Sequence, residues 1–446
     1  MRLPFLILLL MTATAAQPKP LITNSEQTLV SVCTGYDDTD ERLLQICAAA
    51  LEEPGLTNRK RAEILTAHAD ALGWLDRNAE ARVKYTAALE ADPFYADAHE
   101  GLGWTNWMED DYSAAIENFQ LALDLSPSSD ALAGLAASRF EAGVIDAQEA
   151  VTLFEAALAI EPDNRWVLRR IGWTELGEEN FEAALTAFEQ ALDLYGEDAA
   201  ALEGAALSHY HLDDDETALS FINAALAAAP ETPGYIQRRS MILLSLDRPA
   251  AALRDAETYL EMRPDDAIGF VRKGRALVDL GRTMAGLTVM AVARARLPRD
   301  NDLDYWYART LANDGKAREA WGVMSYHLDE GAGDFWDYVL IAFLSVETDR
   351  FEAAIDAVGH MQTLRPGNRF THYWDAVTQL YLDDLDTAEA RIRRAVDAGL
   401  SDSMLGDFME HMVGQGHYIR AAALRIGLRQ ELLAKDASEP KSAAPE

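Results

Sequence analysis

Basic residues are the first shortage in this sequence. Across 446 residues there are 39 Lys+Arg against 74 Asp+Glu, a net charge of −35. A nucleic-acid binder needs a basic footprint to displace counterions from phosphate, and an anionic bilayer attracts a basic face, so the balance argues against both partners. Cysteine is nearly absent: only Cys33 and Cys47 occur, with no further cysteine or histidine close enough in sequence for a thiolate zinc site. A long apolar stretch is also missing, because the run from Leu3 to Met11 falls short of the roughly 20 residues that span a bilayer. There is no Gly-rich phosphate loop, no Gly-x-Ser-x-Gly elbow and no Asn-x-Ser/Thr acceptor. What the chain has is an ordinary apolar content, 49%, so it folds.

The amino terminus reads as a processing signal. Arg2 supplies a minimal charged region, the short apolar run follows, and Thr12 to Ala16 is rich in small residues. Residues 1–16 are therefore expected to be a cleaved secretory signal peptide, and the protein periplasmic or secreted. No cysteine sits at the cleavage site, so no lipid anchor is expected, and no membrane insertion. In an exported chain a close cysteine pair reads as a disulfide, Cys33–Cys47, with two buried thiols as the alternative. Closing a loop of about 15 residues contributes about 3 kcal/mol in the chain-entropy description.

A repeat dominates the rest. Apolar segments ending in proline recur at Pro93, Pro127, Pro162, Pro230, Pro264, Pro298 and Pro366, and the vacant places fall at Gly196, Ala332 and Leu400. Two columns of small residues keep step with them. The first runs Ala69, Gly103, Ala137, Gly172, Ala206, Ser240, Gly274, Ala308, Ala342, Ala376; the second runs from Ala81 through Ala115, Ala150 and Ala184 to Ala388 and Ala422, with Gly286 replacing one alanine. One extra residue is accommodated in the turn around Gly143. Within a unit, Trp166, Leu168, Ile171, Trp173 and Leu176 form one apolar stripe, a Gly-Glu-Glu-Asn turn follows, and Phe181, Ala184, Leu185, Phe188 and Leu192 form another. Spacings of three and four mark two helices, each with one buried face, and the closing proline ends the second.

The unit from Ala96 carries Leu102-Gly103, Tyr112, Ala115, Phe119, Ala122 and Pro127, and this pattern resembles the tetratricopeptide repeat (TPR). The resemblance covers about residues 58–434 in eleven units. It implies an all-α, right-handed superhelical solenoid of antiparallel helix pairs, whose first helices line a concave groove that takes protein segments. Residues 17–57, with helical runs Thr28 to Cys33 and Glu41 to Glu52, are expected to cap the first unit, stapled by the cysteines. Residues 435–446 are expected to form a disordered tail. In the last unit the first small position becomes Glu410, the polar outer face of a terminal repeat, and the units from Ile268 to Ala332 are expected to pack irregularly.

No catalytic constellation stands out, so an enzyme, a metal site and a cofactor are not expected. His209, His211 and Asp213 to Asp215 read as an acidic turn, since i, i+2 side chains on a helix point apart. His411 and His417 lack carboxylates arranged as co-ligands, and Asp37 to Glu41 lacks the spacing of a calcium loop. If the resemblance holds, the groove columns hold Trp104, Trp107, Trp166, Trp173, Tyr210, Tyr305, Trp336, Phe343, Phe370 and Tyr373, while Trp306 and Trp374 read as packing residues. Eight of the nine tryptophans fall in first helices, Trp321 being the exception. The same helices carry Arg169, Arg238, Arg272, Arg275 and Arg309, with the acids concentrated in second helices and turns. The arginines either face the groove or pair with acids on the neighbouring helix. The first alternative gives an envelope scaffold binding an extended acidic or C-terminal protein segment. The runner-up is a polysaccharide-handling accessory that stacks sugar rings on aromatics. Oligomeric state is not encoded in the sequence.

Overall fold

The computed structural model describes residues 28–35, 41–298, 300–328 and 333–438. The expected signal peptide, most of the acidic loop Asp37 to Glu41, and Ala332 lie outside the described residues. Among the described residues there are 24 helices and no strand. The chain divides into two compact units, up to Asp214 and from Asp215.

The first unit opens with α1 (Leu29–Thr34) and α2 (Glu41–Ala50), joined by a Cys33–Cys47 disulfide. Both pack on α3 (Asn58–Trp74), which pairs with α4 (Asn78–Ala91). Pairs follow in α5 (Ala96–Met108) and α6 (Tyr112–Leu125), α7 (Ser129–Glu141) and α8 (Ala147–Ile160), and α9 (Arg165–Gly177) and α10 (Phe181–Tyr195). The unit ends with α11 (Ala199–His211). The second unit starts at α12 (Asp215–Ala228). Its pairs are α13 (Pro233–Ser245) with α14 (Pro249–Met262), α15 (Ala267–Asp279) with α16 (Thr283–Arg296), and α17 (Asn301–Asn313) with α18 (Ala317–Leu328). Then come α19 (Phe335–Glu347) with α20 (Phe351–Leu364), α21 (Arg369–Tyr381) with α22 (Leu385–Asp397), and α23 (Asp402–Gly414) with α24 (Tyr418–Ser438).

Helix boundaries follow from aspartate chemistry. Asp111, Asp146, Asp198, Asp266, Asp300, Asp334 and Asp384 each cap a helix by accepting a backbone N–H, which satisfies donors the first turn would otherwise leave unpaired. Short turns between successive helices place a residue in the left-handed region: Asp76, Asp110, Asp213, Asp247, Asp349 and Asp383 all have positive φ. Aspartate tolerates that conformation better than most side chains. Much of the acid excess is therefore architectural.

The small-residue columns are the contact surface within pairs. All ten residues of the first column are buried, as are Ala81, Ala115, Ala150, Ala184, Ala218, Ala252, Ala320, Ala354 and Ala388 of the second. A Cβ added to Gly103 would come within 2.7 Å of the Phe119 ring, and one added to Gly134, on the next first helix, within 2.3 Å of it. Phe119 is fully buried between the two glycines, and Phe188 repeats this between Gly172 and Gly204. Glycine is needed where a ring must sit against helix backbone; alanine suffices elsewhere.

Three details correct the sequence reading. The last pair is one residue short of register: Ala421 is buried and Ala422 exposed, and buried Met409, not exposed Glu410, holds the first column's place. Helix α24 reaches Ser438, beyond Ala434, so the expected tail begins inside a helix. The stretch from Ile268 keeps helices of 13 and 14 residues in α15 and α16, and Gly286 lies against the Gly274 carbonyl, where a Cβ would stand 2.6 Å from the oxygen. The glycine draws that pair together rather than loosening it.

Candidate functional site

First helices touch the first helix of the following pair: α3 with α5, α5 with α7 and α9 with α11 in the first unit, and each from α13 to α23 with the next in the second. Each unit therefore presents a face built from first helices alone. The predicted groove residues lie on these helices.

In the first unit the aromatics of this face close on one another. Trp104 and Trp107 of α5 meet Trp166 of α9 edge to face, with centroids 4.7 Å and 6.2 Å apart. The Arg170 guanidinium sits over Trp107 and Trp166, at 5.7 and 5.6 Å, and pairs with Glu141 at 2.8 Å. Trp173 packs on Phe188, and Tyr210 lies beside His211. Arg169 contacts both carboxylate oxygens of Asp198 at 3.3 Å, so of the two alternatives for this residue the pairing with a neighbouring acid is the one realised. Carboxylates fill the remainder. Asp70 accepts from the Tyr85 hydroxyl at 2.6 Å, and Glu100 from Ser128 at 2.7 Å. Burial pushes the Glu100 carboxyl up to about 7 against its Ser128 hydrogen bond, helped by nearby Asp130, Asp97 and Asp70.

In the second unit the same columns surround open space. A cavity of about 620 Å³ is lined by α17, α19, α21 and α23, the first helices of four consecutive pairs. Tyr305, Arg309, Trp336 and Phe343, all predicted groove residues, are brought together in its wall. Phe370 and Trp374 join them, so Trp374 both packs and lines. Trp306, also in the wall, has two guanidinium groups over its ring, Arg275 at 3.8 Å and Arg309 at 4.9 Å. Arg238, on α13, and Arg272, buried on α15, are not part of the wall. Trp336 is 43% exposed and rests edge-on against Phe370 at 5.1 Å.

Sequence reasoning missed the cavity's carboxylates, Asp302, Asp334 and Asp337. Asp334 caps α19, accepting from the backbone N–H groups of Trp336 and Asp337, while Asp337 accepts from the Asp334 N–H in return. This reciprocal capping box was legible as Asp-x-x-Asp before an apolar run. Burial raises the Asp337 carboxyl and the adjacent Asp334 carboxylate adds to this, against a lowering by the capping hydrogen bond and by His327, 3.6 Å away. Asp302 is raised by partial desolvation and then by Asp300 and Asp334, against a lowering by Arg272. The expected basic wall is thus corrected at this place: three carboxylates face one guanidinium, and that guanidinium lies on Trp306.

The histidines find ordinary partners. His211 stacks on Phe181 at 4.6 Å, His209 lies 3.4 Å from Asp214, and His411 meets the Tyr381 hydroxyl at 3.1 Å. Among the described residues no group of three or more His, Cys, Asp or Glu is placed to hold a metal ion, and no helix is long and apolar enough to cross a membrane.

The tetratricopeptide-repeat family pattern matches residues 66–130 and 169–233. Among solved structures, yeast Tom70 aligns with 90% of this chain and 96% of its own at 14% identity and a TM-score of 0.51. A tetratricopeptide repeat protein from Parabacteroides merdae aligns with 58% of this chain and 98% of its own, at 18% identity and a TM-score of 0.48. Pseudomonas aeruginosa PilF aligns with 49% of this chain and 97% of its own, at 18% identity and a TM-score of 0.42. No curated protein matches the chain.

Proposed function

The chain is a tetratricopeptide-repeat protein, and from that premise we propose that it is an interaction scaffold of the cell envelope rather than a catalyst, binding an extended segment of a partner protein along its first helices. The observation that carries this is the aromatic cavity of the second unit, in which one wall is assembled from four successive first helices. Open volume walled by Trp336, Phe343, Phe370 and Trp374 offers apolar area to an incoming side chain, and aromatic pockets of this kind supply most of the energy at protein interfaces. Export is part of the proposal. Its support is the signal-like amino terminus and the Cys33–Cys47 disulfide, which persists in oxidising compartments.

A photo-crosslinking residue placed at Trp336 or Phe370 should trap partner protein, whereas the same residue at exposed Ile355 on α20 should not. Equal yields from both positions would overturn the cavity as the contact surface. Cell fractionation with mass analysis should find the chain in the periplasm, starting after Ala15 or Ala16; recovery from the cytoplasm alone, with Met1 intact, would remove export from the proposal.

A further inference from the structure

Resting on that reading, we infer that the cavity of the second unit receives a basic side chain, a lysine or arginine flanked by an apolar residue in the partner segment. The polar groups of the wall decide its sign. Asp302, Asp334 and Asp337 line the cavity together with a single cation, Arg309. Arg309 is already engaged, its guanidinium 4.9 Å from the centre of the Trp306 ring. Asp334 and Asp337 have their capping bonds. Asp302 has none: its side chain makes no hydrogen bond or ion pair among the described residues, and two carboxylates, Asp300 and Asp334, act on it against one guanidinium, Arg272. An anion entering here would meet three carboxylates at short range, a juxtaposition that costs binding, whereas a cation relieves their mutual repulsion.

The apolar wall suits the same occupant. The exposed Trp336 indole presents a π-face that attracts ammonium and guanidinium groups, and the (CH₂) stem of either side chain covers apolar surface while its head stays polar. Trp374, which also lines the cavity and is only 7% exposed, leaves its indole N–H without a hydrogen-bond partner among the described residues. A peptide segment brings carbonyl oxygens, the acceptor that a free amine lacks. The volume, about 620 Å³, accommodates more than one side chain, which is why an apolar neighbour belongs to the assignment.

The test is selection of a random peptide display library on the full chain, with counter-selection on Trp336→Ala. Enriched peptides should carry Lys or Arg beside an aliphatic or aromatic residue, and Asp302→Lys should weaken the best of them roughly tenfold or more. Asp302→Asn, which keeps the shape and removes the charge, should weaken them less than Asp302→Lys does. Enrichment of acidic peptides, or binding indifferent to both Asp302 variants, would overturn the basic occupant while leaving the scaffold proposal intact. If counter-selection on Trp336→Ala removed every binder, that would instead overturn the cavity itself as the docking place, and the inference with it.

Discussion

The two units place aromatics in the same repeat columns and obtain opposite results. In the first, Trp104 and Trp166 stand on alternate first helices, α5 and α9, and reach across α7 to meet at 4.7 Å. Between them α7 contributes mostly small residues: Ala131 and Leu135 cluster with Trp104 and Trp107, and Ala133, Ala136 and Ala137 with Trp107 and Trp166. In the second, the intervening helix α19 carries Trp336, Val339, Leu340 and Phe343 toward the same face, and the rings of α17 and α21 border a cavity instead of touching across it. The bulk of the middle helix decides whether the neighbours form a closed cluster or a pocket. Aromatic content in first helices therefore says little about binding until the helix between is considered.

This contrast can be broken at several points. The largest effect is expected from Gly134→Ala, which drives a methyl group to 2.3 Å from the fully buried Phe119 ring; overpacking of this kind should lower the first unit's stability by about 3 kcal/mol, measured by urea unfolding. A smaller loss would mean that α7 can move, and that the closed cluster is not held by its small residues. Next, Trp166→Ala should cost about 2 kcal/mol, because the half-buried ring joins Trp104, Trp107 and Phe154. Trp336→Ala in the second unit, where the ring is 43% exposed, should cost under about 1 kcal/mol and act on partner capture instead. Equal losses from the two substitutions would erase the distinction between cluster and pocket. Glu100→Gln is expected to act in the opposite direction, as a small gain. Its carboxyl titrates near 7 in the folded chain against an ordinary 4.5, so its ionised form opposes folding. That penalty is absent below about pH 4.5 and complete above about pH 7, so the variant should gain about 1 kcal/mol at pH 8, discounted for water reaching the half-buried group, and nothing at pH 4. A pH-independent gain would assign the effect to packing.

The helix pairs were legible because their signals are periodic and local. Prolines, small residues and apolar stripes repeat in register, and only the loss of one residue before the last pair put Ala422 and Glu410 in the wrong places. The site was half legible. Tyr305, Arg309, Trp336 and Phe343 share columns and do meet. The charge pattern was not legible, because a guanidinium finds its partner through the next pair: Asp198 is 29 residues from Arg169. Several of the aspartates assigned to second helices and turns cap helices, and three of the acids border the cavity. Columns reveal which residues share a face; they do not reveal which of them already hold one another.

Most turns inside a pair have three residues, with the middle one at positive φ, yet the turn between α7 and α8 has five, residues 142–146. The two helices nevertheless bury the same columns, with Ala137 and Ala150 both fully enclosed. Register is thus held by the side chains that meet across the pair, and the turn only bridges the gap. Such a joint is the place where new sequence can be admitted at the cost of a slightly longer loop. Around exposed Val144 the chain offers a natural port for grafting a tag or a second domain without disturbing the stack on either side.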